Sequence, residues 1–206
     1  MDGNNRWSSK NNKNKFYSYK KGAIKLIELS KYIFENYKTN YISAFALSIH
    51  NLKRSKSFHN TFAKVLENML DEINEHNFDF KIKLIGSLDF LKKNILKKIN
   101  DLELLNAKSS KTLLVFINYS GKLEINNAIK KTKSGEDFKN NMLTYSIPDP
   151  DILIRTGGFK RLSDFMLYQL SFTELFFSKK LWPDLKKSDI QKIIDNFKSI
   201  ERKFGI

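Results

Sequence analysis

Asp151-Ile-Leu-Ile-Arg-Thr-Gly-Gly158, followed by Arg161 and Ser163, is the stretch on which the reading of this chain turns. The apolar run from Ile152 to Ile154 predicts a short buried strand. Gly157 and Gly158 predict a tight turn that can approach a ligand without Cβ clashes. The apolar-rich segment from Asp164 predicts a helix with Ser163 as its N-cap, whose free N–H groups and dipole favour an anion. Arg155 and Arg161 supply planar, charge-assisted donors that match phosphate oxygens. Strand, glycine turn and helix together predict a site for a diphosphate.

Working outward, helical and strand patterns alternate along the chain. Ala23, Leu26, Ile27, Ile33, Phe34 and Tyr37 form one helical stripe. Phe58, Phe62, Val65, Leu66, Met69, Leu70 and Ile73 form a clearer one. Helical patterns also cover residues 89–105, 122–131 and 188–204. Short apolar runs at 41–47, 80–85, 113–117 and 152–154 predict buried strands. The fold class is α/β, a single parallel-rich β-sheet flanked by helices. Ligands of such sheets bind beyond the carboxyl ends of the strands. The loops there carry Ser48, Asn51 and Arg54, then Asn118, Tyr119 and Gly121, then Arg155 to Ser163. The N-terminus adds Asp2-Gly-Asn-Asn-Arg-Trp7, which places a carboxylate, a glycine, an arginine and an indole within six residues.

Composition narrows the class. A chain of 206 residues with 41% hydrophobic content suffices for one well-buried core. Cysteine is absent and the histidines are His50, His59 and His76 alone, which excludes disulfides, iron–sulfur clusters and cysteine-ligated zinc. A reducing cytosol fits this usage. No apolar stretch reaches the length of a membrane span. The net charge of +15 is spread over every helix and loop rather than gathered into a patch, so no nucleic-acid partner is expected. Such a surface suits anionic substrates or the headgroups of a cytoplasmic leaflet.

Taken in order, several blocks resemble the cis-prenyltransferase family, the undecaprenyl diphosphate synthase-like isoprenyl transferases. They are Met1-Asp-Gly-Asn-Asn-Arg-Trp7, Ala46-Leu-Ser-Ile-His-Asn-Leu-Lys-Arg54, Ile85-Gly86, Asn118-Tyr-Ser-Gly121, Asp151 to Gly158, Arg161-Leu-Ser163, Glu174-Leu-Phe-Phe177, Leu181-Trp-Pro-Asp184 and Glu201-Arg-Lys-Phe-Gly205. Any one block is weak; the ordered set, which covers essentially the whole chain, is specific.

The resemblance implies an enzyme that condenses isopentenyl diphosphate with an allylic diphosphate, farnesyl diphosphate by expectation, in cis geometry to give a polyprenyl diphosphate. It implies one isoprenyl transferase domain over 1–206, a homodimer joined through the last helix and tail, and Mg²⁺ as cofactor. The protein is expected in the cytoplasm, with peripheral contact at the inner membrane face through its product. Asp2 and Asn51 are expected as catalytic residues, and Asp2 and Glu174 as metal ligands. Gly3, Asn4, Arg6, Trp7, Lys15, Ser48, Arg54, Arg155, Arg161 and Ser163 are expected to bind substrate. An amide is a poor base, so Asn51 is expected to orient the group that takes the proton. Phe58, Phe62, Leu66, Leu84 and Phe116 are candidates for lining a product tunnel, although core packing is the stronger reading of each. The alternative is a catalytically weak diphosphate-binding or accessory homologue.

The sequence departs from the family pattern at Asn5, Lys15, Tyr19, Ile49, His50, Leu52 and Lys203, where glycine, arginine, histidine, serine, glutamate, tryptophan and arginine are usual. Relatives also carry a further apolar strand just before the Asp2 motif, so the sheet is expected to lack one strand.

Overall fold

A computed structural model describes residues 1–52, 56–75 and 78–202. Among these the elements run α1 (Asn4–Lys10), α2 (Lys15–Asn36), β1 (Tyr41–Ser48), α3 (Ile49–Leu52), α4 (Lys56–Glu75), β2 (Lys81–Ile85), α5 (Lys93–Leu104), β3 (Thr112–Tyr119), α6 (Gly121–Lys131), β4 (Ile152–Arg155), β5 (Glu174–Phe177) and α7 (Lys187–Lys198). Short 3₁₀ turns at Phe138–Asn141 and Trp182–Asp184 complete them.

Helices start where the sequence supplies caps. The Asn14 side chain accepts the Tyr17 N–H at 2.8 Å ahead of α2, and the Ser120 hydroxyl accepts the Leu123 N–H at 3.2 Å ahead of α6. Each satisfies one of the N–H groups that a helix start leaves orphaned. The strands are apolar because they are covered. β3 lies between β1 and β2, pairs parallel with both, and buries Leu113, Leu114, Phe116 and Ile117 almost completely. From α4, Val65, Met69 and Leu70 pack into the largest apolar cluster, with Leu26 and Leu29 of α2 and Ile95 and Ile99 of α5.

The parallel α/β architecture is present, but the expected single sheet is divided. One sheet has the order β1-β3-β2, and the other is the parallel pair β4-β5. β1 and β4 do not pair with each other, and both line one cavity of about 1490 Å³.

The helix expected from Asp164 is replaced by turns over residues 164–172. Ser163, Asp164 and Met166 all have positive φ, which cannot propagate a right-handed helix. The segment serves α6 instead. The Asp164 carboxylate accepts the Lys122 N–H at 2.9 Å and the Ser120 hydroxyl, and its backbone carbonyl accepts the Gly121 N–H at 2.8 Å. Phe165, Met166 and Leu170 meanwhile fill an apolar cluster with Phe116 and Tyr119.

Candidate active site

At the carboxyl end of β4 the chain folds back on its own N-terminus. Thr156, 1% exposed, accepts the Asp2 backbone N–H and donates its hydroxyl to the Asp2 carbonyl, both at 3.0 Å. This anchors the Asp2 carboxylate between two arginines. Arg155 Nη2 stands 3.0 Å from Asp2 Oδ2, and Arg6 Nη2 stands 3.3 Å from Asp2 Oδ1. Arg6 is held further by a 2.7 Å bond from Nη1 to the Gly157 carbonyl. Arg155 Nη1 donates to the Ser163 hydroxyl at 2.8 Å and also to the Arg161 carbonyl. The Arg155 side chain is 13% exposed, and its Nε is buried with no partner among the described residues. Two guanidinium groups thus meet one carboxylate at the rim, and with Arg161 on the same cavity the three cations leave a surplus of two positive charges available to an anion.

The glycine turn contributes differently from expectation. The N–H groups of Gly157 and Gly158 donate to the Lys180 and Ser178 carbonyls at 2.7 and 2.9 Å, continuing the β4–β5 pairing. They are already satisfied, so the guanidinium groups are the anion donors here. Glycine is still required at 157: φ is +86°, and a Cβ there would lie 2.5 Å from Arg6 Nη2.

Of the expected residues, Asp2, Gly3, Asn4, Arg6, Ser48, Asn51, Arg155, Arg161 and Ser163 all border the one cavity. Ser48 and Asn51 brace each other at the end of β1: the Ser48 N–H donates to Asn51 Oδ1, and the Asn51 N–H donates to Ser48 Oγ, both at 3.2 Å. Ser163, which caps no helix, is present as the acceptor from Arg155. Phe58 and Phe62 border the cavity too, while Leu66, Leu84 and Phe116 are core.

Three expected residues lie away from the cavity. Trp7 is 5% exposed, bonds through Nε1 to Asp184 at 2.7 Å and does not border the cavity. Lys15 is exposed at the start of α2, also off the cavity. Glu174 opens β5 opposite Ile152, whereas Arg155 pairs with Phe177. In a parallel pair that register leaves Glu174 about 10 Å along the strand from the arginine rim. Arg54 lies outside the described residues, as does the tail from Lys203.

Sequence reasoning missed Thr156, whose only signal was its place between Arg155 and Gly157. It also missed Phe159, whose ring has three guanidinium groups around it, and the partnership of two departures from the family pattern. The Tyr19 hydroxyl donates to Asn5 Oδ1 at 2.9 Å, so both changes serve one contact. A third departure, His50, stands with Nε2 3.7 Å from Asp164 Oδ2.

A hard divalent cation is commonly held by one or two carboxylates together with substrate phosphates. Asp2 fits that role: its carboxylate borders the cavity, and each oxygen keeps acceptor capacity beyond its arginine bond. Among the described residues, no three acidic or histidine side chains cluster to form an all-protein metal site.

Known proteins resemble this chain in sequence and in fold. The model of the undecaprenyl diphosphate synthase family of prenyltransferases matches residues 1–205. The isoprenyl transferase of Rickettsia typhi is 36% identical over 217 residues, covering 100% of this chain and 95% of that one. The tritrans,polycis-undecaprenyl-diphosphate synthase (geranylgeranyl-diphosphate specific) of Pyrobaculum aerophilum is 33% identical over 220 residues, covering 99% and 92%. In fold, the chain matches the lavandulyl diphosphate synthase of Lavandula x intermedia, solved with dimethylallyl diphosphate, with a TM-score of 0.87 at 24% identity over 100% of this chain and 95% of that one. A parallel α/β fold with a guanidinium-lined rim beside a large cavity is thus that of a prenyl-transferring enzyme. The chain belongs to the undecaprenyl diphosphate synthase family of cis-prenyltransferases.

Proposed function

We propose that this chain joins isopentenyl diphosphate to an allylic diphosphate, farnesyl diphosphate as starter, and lengthens it in cis steps to a polyprenyl diphosphate. The observation that carries the proposal is the pairing of Arg6 and Arg155 with Asp2 on one cavity that Arg161 also lines. Arg155, Arg161 and Ser163 grip the diphosphate of the isopentenyl substrate, and bidentate guanidinium contacts fix its orientation. Arg6, Gly3 and Asn4 bind the allylic diphosphate beside Asp2. Asp2, with the phosphate oxygens, would hold Mg²⁺, which neutralises charge on the leaving diphosphate as the C–O bond breaks. Asn51 borders the cavity, and because its carbonyl oxygen accepts the Ser48 N–H, its amide N–H₂ is the group it has to offer a ligand. It orients the oxygen that takes the proton released on condensation and does not itself act as the base.

The enzyme works as a homodimer in the cytoplasm and meets the inner membrane face through its apolar product. The absence of cysteine is consistent with a reducing compartment. Among the described residues no helix is long and apolar enough to cross a membrane.

The test is incubation with farnesyl diphosphate, labelled isopentenyl diphosphate and Mg²⁺, followed by product-length analysis beside Asp2→Ala. Chain-lengthened product from the wild type and a turnover roughly a hundredfold lower in the variant are expected. Equal turnover by both proteins would remove Asp2 from the chemistry.

A further inference from the structure

We propose that Phe159 is a positioning residue for the reaction: its ring is the platform that orients Arg155 and Arg161 toward the isopentenyl diphosphate and Arg6 toward the neighbouring allylic diphosphate. The inference rests on the assignment of these arginines to diphosphate binding. The guanidinium carbons of Arg161, Arg6 and Arg155 lie 4.3, 4.9 and 5.9 Å from the Phe159 ring centroid. All three fall within the range in which the negative face of an aromatic ring attracts a cation.

Phe159 is 40% exposed and belongs to none of the apolar clusters, so core burial does not account for its position. Three like charges converge there, and the carboxylate of Asp2 pairs with only two of them. Arg161 has no carboxylate within 4.0 Å among the described residues, and its guanidinium group lies over the ring. The ring therefore performs for Arg161 the orienting role that Asp2 performs for Arg6 and Arg155. It also lessens the mutual repulsion of the three cations before substrate arrives. A phenyl group accepts no strong hydrogen bond, so the ring itself takes up none of the N–H groups that phosphate oxygens need.

Phe159→Leu keeps an apolar side chain and removes the π face, whereas Phe159→Trp keeps the face. In Phe159→Leu, KM for isopentenyl diphosphate and the Kd for inorganic pyrophosphate, measured by titration calorimetry, are expected to rise about three- to tenfold. Its kcat is expected to stay within about twofold, since the ring touches no reacting carbon. Phe159→Trp is expected to match the wild type, and all three proteins to melt alike. Unchanged KM and Kd in Phe159→Leu would overturn the proposal, as would equal impairment of the Leu and Trp variants. Arg161→Ala, run alongside, separates the two layers. If it raises KM while Phe159→Leu does not, the ring has no positioning role and the diphosphate site stands. If Arg161→Ala leaves KM unchanged, the site assignment fails and the role of the ring fails with it.

Discussion

Arg155 Nη2 lies 3.0 Å from Asp2 Oδ2, a contact between residues 153 positions apart that closes the end of β4 onto the N-terminal turn. Arg155 is thereby shared between a carboxylate and a serine hydroxyl, with its charge aimed into the cavity. The arrangement is held from both sides: Thr156 fixes the Asp2 backbone, and the Gly157 carbonyl fixes Arg6.

Arg155→Lys tests whether geometry or charge matters in that contact. Lysine keeps the cation but cannot bond Asp2, Ser163 and a phosphate oxygen from one planar fork. KM for isopentenyl diphosphate is expected to rise by about tenfold, read from initial rates at saturating allylic substrate, which corresponds to about 1.4 kcal/mol. An unchanged KM would mean that charge alone suffices.

Gly157→Ala is expected to harm both stability and activity. The left-handed φ of +86° costs a residue with a Cβ about 1–2 kcal/mol. The added methyl also displaces Arg6 from Asp2. Urea denaturation should show the stability loss, and turnover should fall further than the unfolded fraction explains. A fully active, stable Ala variant would contradict the packing described.

Alkaline unfolding is expected to report on Tyr119. Burial first, and then its hydrogen bond to Glu124, push the Tyr119 phenol pKa up. Its folded pKa thus lies above the unfolded value near 10, so its contribution is complete below about pH 10 and declines as pH climbs beyond that. Tyr119→Phe should cost about 1 kcal/mol at pH 7 from the lost bond to a buried carboxylate. The gap between the variant and the wild type should narrow above pH 10 in pH-dependent urea melts. A gap constant from pH 7 to 11 would exclude this account.

Acid sensitivity has a local source at the start of α7. Burial raises the Asp189 carboxyl pKa, but the Lys180 ammonium and the Lys186 N–H together pull it below the ordinary value. A depressed folded pKa stabilises the protein above the unfolded value near 3.9, and that stability is lost as pH falls through it. Asp189→Asn is expected to cost about 1 kcal/mol at pH 7 by weakening the cap, and less at pH 3. An equal cost at both pH values would point to packing instead.

Within the site, legibility followed sequence locality. Arg155, Arg161 and Ser163 were readable because a strand and a glycine turn bring them together within nine residues. Asp2, Arg6, Ser48 and Asn51 were readable only through the ordered family blocks, since no local pattern says that residue 2 meets residue 155. Glu174 and Trp7 were carried to the site by the same blocks, but strand register and the Asp184 bond set them apart from the rim. The segment after Ser163 reads as helical because it is rich in apolar residues and follows a glycine turn. That composition could not reveal that Asp164 is taken up in holding the first turn of α6.

By itself, the sequence determined the parallel α/β class, the apolar strands and helix stripes and the cationic loop after β4. All of these follow from interactions between near neighbours and from the burial preference of each side chain. Only the tertiary structure decided that the strands split between two sheets, that Thr156 seats Asp2, that Asn5 answers Tyr19 and that Phe159 gathers three arginines. Those features depend on hydrogen bonds and ring contacts between elements. Their geometry arises when the chain closes on itself, because no residue carries information about a distant partner until packing brings the two within a few ångströms.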